Sequence, residues 1–150
     1  MRPSWDEHFL KMSRLVSEMS TCARRNVGCI LIDDRNQILS TGFNGVPPHF
    51  PHCNENNPCP GAQRRSGSDL DLCYAVHAEQ NALMRCSDIR KIRTCYLTTS
   101  PCVTCTKLLL GTSCTRIIFI EEYANVDESQ RLWNMNPPLS GREWIHYDLS

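Results

Sequence analysis

The sequence predicts an α/β fold: a three-layer α/β/α sandwich with a mixed, about five-stranded central sheet. Three observations point there. Strand-like apolar runs alternate with helical patterns along the chain. The first two runs are close enough to form a hairpin, whereas the later ones are separated by helix-length segments. At 150 residues the chain is long enough to bury a core of its own, so residues 1–150 are expected to form one domain.

Each element has its own signal. Trp5, Phe9, Met12, Leu15, Val16 and Met19 recur at spacings of three and four, predicting an amphipathic helix over 4–20 with Ser4 as N-cap. "VGCILID" (27–33) and "QILSTGF" (37–43) are β-rich and flank the turn "DRN", predicting a hairpin. Residues 44–73 form a Cys-containing insert rich in Gly, Pro, Asn and Ser. An irregular segment of that length is uncommon unless it is functional or pinned. A helix over 77–86 and a strand over 94–100 follow. "PCVTCTKLLLG" predicts a helix with Ser100 as cap, Pro101 at its first position and Gly111 near its end. "TRIIFIEE" is a buried strand, residues 126–135 a short helix, and "EWIHYDL" a final edge strand. Trp133, Met135 and Trp144 either finish the core or cover an interface.

Charge narrows the function. Sixteen basic and sixteen acidic side chains cancel to a formal net charge of zero. Proteins that grip long nucleic acids draw affinity from a basic excess, so a polymeric DNA or RNA partner is disfavoured. The first twenty residues are charged throughout and lack the apolar core of a signal peptide. No run approaches the roughly 20 apolar residues of a membrane span. The expected compartment is the cytoplasm. Ten cysteines in such a setting favour metal binding over a disulfide framework.

The metal signal is in two short stretches. "SPCVTC" places Cys102 and Cys105 three residues apart in a first helical turn, on one face, where the helix dipole favours thiolates. "YAVHAEQNALMRC" (74–86) places His77 at another helix start with Glu79 two residues on. If the two helices lie side by side, His77, Cys102 and Cys105 supply three zinc ligands. That leaves the fourth position for water, which distinguishes a catalytic from a structural site. Glu79 is then free to move protons. H-x-E…P-C-x-x-C is the signature of zinc deaminases, and "HAE" with "PCVTC" fits it at every fixed position. The bland reading is a core histidine beside an unrelated Cys-x-x-Cys clip. A closed structural site, however, has no use for Glu79.

A small nucleotide also needs phosphate ligands. "CARRN" offers Arg24 and Arg25 just before a strand, and guanidinium forks suit phosphate oxygens. Both arginines read equally as solvated surface charge. Gly42 and Gly45 flank Phe43 and Asn44, allowing a sharp bend that aims Asn44 inward, or simply a turn. Tyr123 either borders the nucleotide or closes a surface loop.

Through "STCARRNVG" (20–28), "TGFNG" (41–45), "HAEQNAL" (77–83) and "TTSPCVTC" (98–105), the chain resembles the deoxycytidylate deaminases of the cytidine deaminase-like superfamily. The zinc motifs are specific for the superfamily, and "TGFNG" with the Cys-rich insert points to the dCMP branch. The resemblance implies hydrolysis of dCMP to dUMP and ammonia, supplying thymidylate synthesis, in a homohexamer. It implies activation by dCTP with Mg2+ and inhibition by dTTP. It makes Asn44 a ligand of the deoxyribose 3′-hydroxyl and adds Ala78 and Ser100 to the candidate substrate contacts Arg24, Arg25 and Tyr123. The loop Gly42–Gly45 resembles the segment tied to effector response.

The family often carries a second, structural zinc. On this chain Cys22, Cys53, Cys59 and Cys73 are its candidate ligands, with His49 and His52 as substitutes. A metal clip would offset the ordering entropy of a loop that buries little apolar surface. Free buried thiols are the alternative. Cys29, Cys86, Cys95 and Cys114 lie on strands or helix faces and are expected in the core. Two other functions compete: a nucleic-acid base deaminase of the tRNA adenosine type, and a non-catalytic zinc module. A free-nucleoside cytidine deaminase is a weaker choice, because that branch resembles a three-cysteine site.

Overall fold

A computed structural model of the chain describes residues 1–22, 24–53, 59–65, 68, 73–135 and 141–150. Helix α1 (Trp5–Ser17) starts where the sequence predicts, with Ser4 Oγ accepting from Glu7 N at 3.1 Å and Asp6 and Glu7 in the first turn. Strands β1 (Gly28–Ile32) and β2 (Ile38–Phe43) form the antiparallel hairpin. Its turn is set by Asp33 Oδ1, which accepts from Arg35 N at 2.8 Å and Gln37 N at 2.9 Å. Asn36 takes φ 61°, a region Asn tolerates. Then come α2 (Ala78–Arg85), β3 (Thr94–Thr99), α3 (Val103–Leu110), β4 (Arg116–Glu121), α4 (Val126–Asn134) and β5 (Glu143–His146).

The strand order is β2-β1-β3-β4-β5. β1 pairs antiparallel with both β2 and β3, whereas β3–β4 and β4–β5 are parallel, with α3 and α4 as their crossovers. The sheet is therefore mixed and five-stranded, and β5 is an edge strand as expected. One face packs Phe9 and Leu10 of α1 on Ile30, Ile32, Tyr96 and Ile118. Tyr96 Oη donates to Asp6 Oδ1 at 2.6 Å, so the buried phenol has its partner on α1. The opposite face packs Ala78, Ala82, Leu109 and Trp133 of α2–α4 on Cys29, Leu97, Ile117 and Phe119. These are the three predicted layers.

Several local expectations change. Helix α3 is capped by Cys102, not Ser100, with Cys102 Sγ accepting from Cys105 N at 3.4 Å. Ser100 Oγ instead accepts from Tyr123 N at 2.7 Å, which leaves Pro101 ahead of the helix. Strand β5 ends at His146, because Tyr147 and Leu149 turn to pack on the α1 face. Trp133 is fully buried and Trp144 packs against the same core cluster, finishing the core, whereas Met135 stays exposed. Cys29, Cys95 and Cys114 are core residues; Cys86 is half-buried. Of the insert, residues 54–58, 66, 67 and 69–72 lie outside the described residues.

Candidate active site

Helices α2 and α3 bring their first turns together. His77, the N-cap of α2, points Nδ1 to 3.5 Å from Cys102 Sγ and 3.3 Å from Cys105 Sγ. Among the described residues this is the one group of three ligand side chains whose donor atoms all lie within 4.8 Å of one another. With Zn–S near 2.3 Å and Zn–N near 2.1 Å, tetrahedral geometry requires S···N edges of about 3.6 Å, so the cluster has zinc dimensions. Two soft sulfurs and an imidazole are also a donor set that suits zinc. The backbone reinforces it: His77 N donates to Gln80 Oε1 at 3.0 Å, closing the start of α2.

Glu79, in the same first turn, is only 4 % exposed and contacts the Cys105 thiol. Burial pushes its carboxyl up from the ordinary range, while the facing His77 pulls the other way. Hydrogen bonding to the neighbouring Cys105 thiol, aided by the His77 imidazole, lowers the Cys102 thiol to about 4 against the opposing effect of burial. The Cys102 sulfur in turn raises His77, against the effect of burial. A polarised cluster with a buried carboxyl of raised pKa beside it is an arrangement for proton transfer.

A cleft partly open to solvent lies over this cluster. Its wall includes His77, Ala78, Glu79 and Cys102 from the helix starts, and Asn44, Arg24, Arg25, Ser100 and Tyr123 from the surrounding segments. The predicted substrate contacts are thus brought to one cleft. Cys22 and Cys73 also border it. Cys105 is fully buried, and Gly42, Phe43, Gly45, Cys53 and Cys59 are not part of the wall.

Asn44 is engaged more closely with the protein than its sequence suggests. Its Oδ1 accepts from Val27 N at 2.8 Å and its Nδ2 donates to Arg25 O at 2.6 Å. Its backbone O accepts from Ser20 Oγ at 2.9 Å and Thr21 N at 3.2 Å. One Nδ2 hydrogen remains for a ligand. The expected sharp bend at Gly42 and Gly45 is absent: neither has positive φ. Gly42 lies within β2, where a Cβ would sit 2.3 Å from Ala78 O and 2.5 Å from Ala82 N of α2. Gly45 bridges Val76 by paired backbone bonds of 3.1 and 2.8 Å. The glycines are there for close approach and bridging rather than for a turn.

Arg24 and Arg25 differ. Arg24 Nη1 donates to Arg65 O at 3.2 Å and Ser68 O at 2.8 Å, tying down the insert, and its Nη2 is buried without a hydrogen bond to the described residues. The Arg25 guanidinium stacks 4.5 Å above the Tyr123 ring. The four remaining candidate ligands form two pairs: Cys22 and Cys73 sulfurs are 3.9 Å apart, those of Cys53 and Cys59 3.5 Å. Cys59 also approaches Cys73. His49 and His52 are exposed.

Sequence reasoning missed Asn81, whose Nδ2 donates to Phe43 O at 2.8 Å and Val76 O at 3.4 Å, holding α2 against the Asn44 loop. A polar side chain four residues after His77, beside the buried Ala78 and Ala82, was the available signal. Val27, Ala75 and Thr99 also line the cleft and carry no sequence signal of their own.

Comparison with known proteins agrees with this geometry. The family model for the cytidine and deoxycytidylate deaminase zinc-binding region matches residues 3–121. The chain is 34% identical over 131 residues to deoxycytidylate deaminase of Saccharomyces cerevisiae, covering 86% of this chain but 41% of that protein. It is 35% identical over 127 residues to deoxycytidylate deaminase of Mycobacterium phage D29, covering 81% of this chain and 98% of the relative. The crystal structure of dCMP deaminase from cyanophage S-TIM5 in complex with dCMP and dUMP superposes with a TM-score of 0.70 at 26% identity, covering 97% of this chain and 98% of that one. A zinc-sized His–Cys–Cys cluster beside a buried glutamate, inside a family match that spans most of the chain, places this protein in the cytidine and deoxycytidylate deaminase zinc-binding family.

Proposed function

We propose that the chain, as one deaminase domain over 1–150, hydrolyses dCMP to dUMP and ammonia, with His77, Cys102 and Cys105 as zinc ligands and Glu79 as proton carrier. The observation that carries this reading is Glu79, almost wholly buried, ionisable and in contact with the metal-sized cluster. Zinc, when bound, supplies Lewis acidity that makes water a nucleophile near neutral pH. Glu79 would take one proton of the attacking water on its carboxylate and pass it to N3 of the pyrimidine as C4 is attacked, then take the proton of the new C4 hydroxyl and deliver it to the amine, which leaves as ammonia as the C4–N bond breaks and the C4 carbonyl forms. A raised carboxyl pKa suits a group that must both accept and return a proton. Arg24 and Arg25 face the phosphate, and Asn44, Ala78, Ser100 and Tyr123 border sugar and base. The cyanophage relative's complex with dCMP and dUMP supports this substrate and product.

The test is ammonia release from dCMP, cytidine, dCTP and a tRNA anticodon stem-loop at equal protein concentration. Release is expected from dCMP. None from dCMP, with or without dCTP and Mg2+, overturns the reading, and release from the stem-loop alone makes the chain a nucleic-acid base deaminase.

Cys22, Cys53, Cys59 and Cys73 are proposed to hold a second, structural zinc. Each sulfur pair, 3.9 and 3.5 Å, is near one S···S edge of about 3.8 Å expected around tetrahedral zinc, but no three of the four sulfurs lie within 4.8 Å of one another, so binding the ion would have to draw the two pairs together. Metal analysis should find two zinc ions per chain, falling to one in Cys53→Ser. One zinc in both proteins excludes the second site. We further propose regulation by dCTP with Mg2+ and by dTTP in a cytoplasmic homohexamer. In its support, Gly42–Gly45 lies between the 20–27 segment, through the Asn44 bonds, and the approach to His77, through the Gly45–Val76 bridge. Displacing that loop reaches both ends of the cleft.

A further inference from the structure

We infer that Asn81 is a positioning residue that fixes Asn44 relative to Glu79 and the His77–Cys102–Cys105 cluster, so that the sugar and base ends of one nucleotide are aligned together. The inference rests on the deaminase reading above and deepens it. Asn81 lies on α2 one turn after the His77 cap, with its backbone N–H donating to His77 O at 2.9 Å. It is not part of the cleft wall. Its side-chain nitrogen spends both hydrogens on backbone: Nδ2 donates to Phe43 O at 2.8 Å and to Val76 O at 3.4 Å. Phe43 is the residue before Asn44 and 38 positions from Asn81, and Val76 is the residue before His77. One amide on the helix of Glu79 thus holds the chain immediately ahead of two cleft residues.

The surroundings show why the tie comes from this position. Without a Cβ on Gly42, β2 lies close against Ala78 O and Ala82 N of α2. That approach brings Phe43 O within reach of a side chain as short as asparagine's. Val76 O also accepts from Gly45 N at 3.1 Å, and Val76 N donates to Gly45 O at 2.8 Å. This bridge joins the two segments to each other, whereas Asn81 joins them to the helix that carries Glu79. On its other side the Asn44 side chain is held by Val27 N and Arg25 O, from a different segment. Asparagine is a weak helix former because its amide competes for backbone partners. Here the amide takes carbonyls outside its own helix, so the cost to α2 is offset by the crosslink. A reacting group held slightly out of place loses rate steeply, so a strap between the sugar contact and the proton carrier acts on alignment.

The experiment measures kcat/KM for dCMP and for the same nucleotide lacking its 3′-hydroxyl, the group expected at Asn44, together with zinc content. Asn81→Ala removes both bonds. It should lower the preference for dCMP over the 3′-deoxy nucleotide about tenfold, the size of one good buried hydrogen bond, with the loss on dCMP. Zinc content should not change. Asn81→Asp keeps the shape of the amide but turns acceptors toward two carbonyls, so the preference should fall at least as far. If these variants do not fold, Asn81→Gln keeps the donor and moves it outward by one methylene, and the preference should fall there too. Equal losses on both nucleotides overturn the inference, because a merely structural role lowers both together. So does a wild-type preference in the variants, a fall in zinc content, or a wild-type protein that does not distinguish the two nucleotides. Failure of the wild-type protein to deaminate dCMP overturns the deaminase reading itself, which is a separate result.

Discussion

Glu79→Gln should retain zinc and lose nearly all turnover. The amide has the shape of the carboxyl, so it fits the same buried position between the starts of α2 and α3. What it lacks is an oxygen able to take a proton from water and return it to the pyrimidine. Positioned acid–base groups contribute about 10²–10⁴-fold. Because this one carboxyl would serve every transfer in the reaction, the loss should fall at the upper end of that range. Zinc content per chain should not change, since the proposed ligands are His77, Cys102 and Cys105 and Glu79 lies outside that cluster. The fold should not suffer either. Burial raises the Glu79 pKa, so its ionised form is disfavoured in the folded state. A neutral amide at that position avoids this penalty at pH values above the ordinary carboxylate range. Ammonia release, zinc analysis and thermal melting, read together, check the prediction. A variant with a tenth of wild-type activity would remove the proton-carrier role.

Gly42→Ala should damage stability and activity together, although Gly42 is not part of the cleft wall. Its missing Cβ is where β2 meets α2: a methyl there would stand 2.3 Å from Ala78 O and 2.5 Å from Ala82 N. Both are backbone atoms of a helix, so no side chain can swing aside. The strand or the whole of α2 must move. Overpacking of this kind costs about 3 kcal/mol, which lowers the Tm of a chain this size by roughly 10 °C. Helix α2 carries His77 at its cap and Glu79 in its first turn, so a shift of a few tenths of an ångström is felt at the zinc cluster. Gly45→Ala is the internal comparison. There the new methyl meets the Phe43 ring at 3.1 Å, a side chain able to rotate, and the effect on melting should be small. Equal, small shifts in both variants would show that β2 and α2 do not approach as closely as described.

The catalytic signature was legible because its parts are local. His77 and Glu79 lie two residues apart and Cys102 and Cys105 three, each pair within one helical turn, so spacing alone set their relative directions. The hairpin was legible for the same reason, its turn being written in Asp33 and Asn36. Capping was harder to read. Ser100 and Pro101 look like a helix start, but Ser100 Oγ found a partner at Tyr123, well over a turn away in sequence, and the cap passed to Cys102. Nothing local announces such a competitor.

Residue types at short fixed intervals were enough to predict the layered α/β fold and to single out His77, Cys102 and Cys105, which the fold brings together, with Glu79 buried beside them, because helix and strand periodicity are properties of the chain itself. Partners far apart along the chain had to await the folded molecule: Arg25 on Tyr123, Asn44 clamped to Arg25 and Val27, Cys22 beside Cys73, and Gly42 against α2. Those contacts depend on how the sheet and helices dock, and docking is set by the packing of the whole core rather than by any one segment.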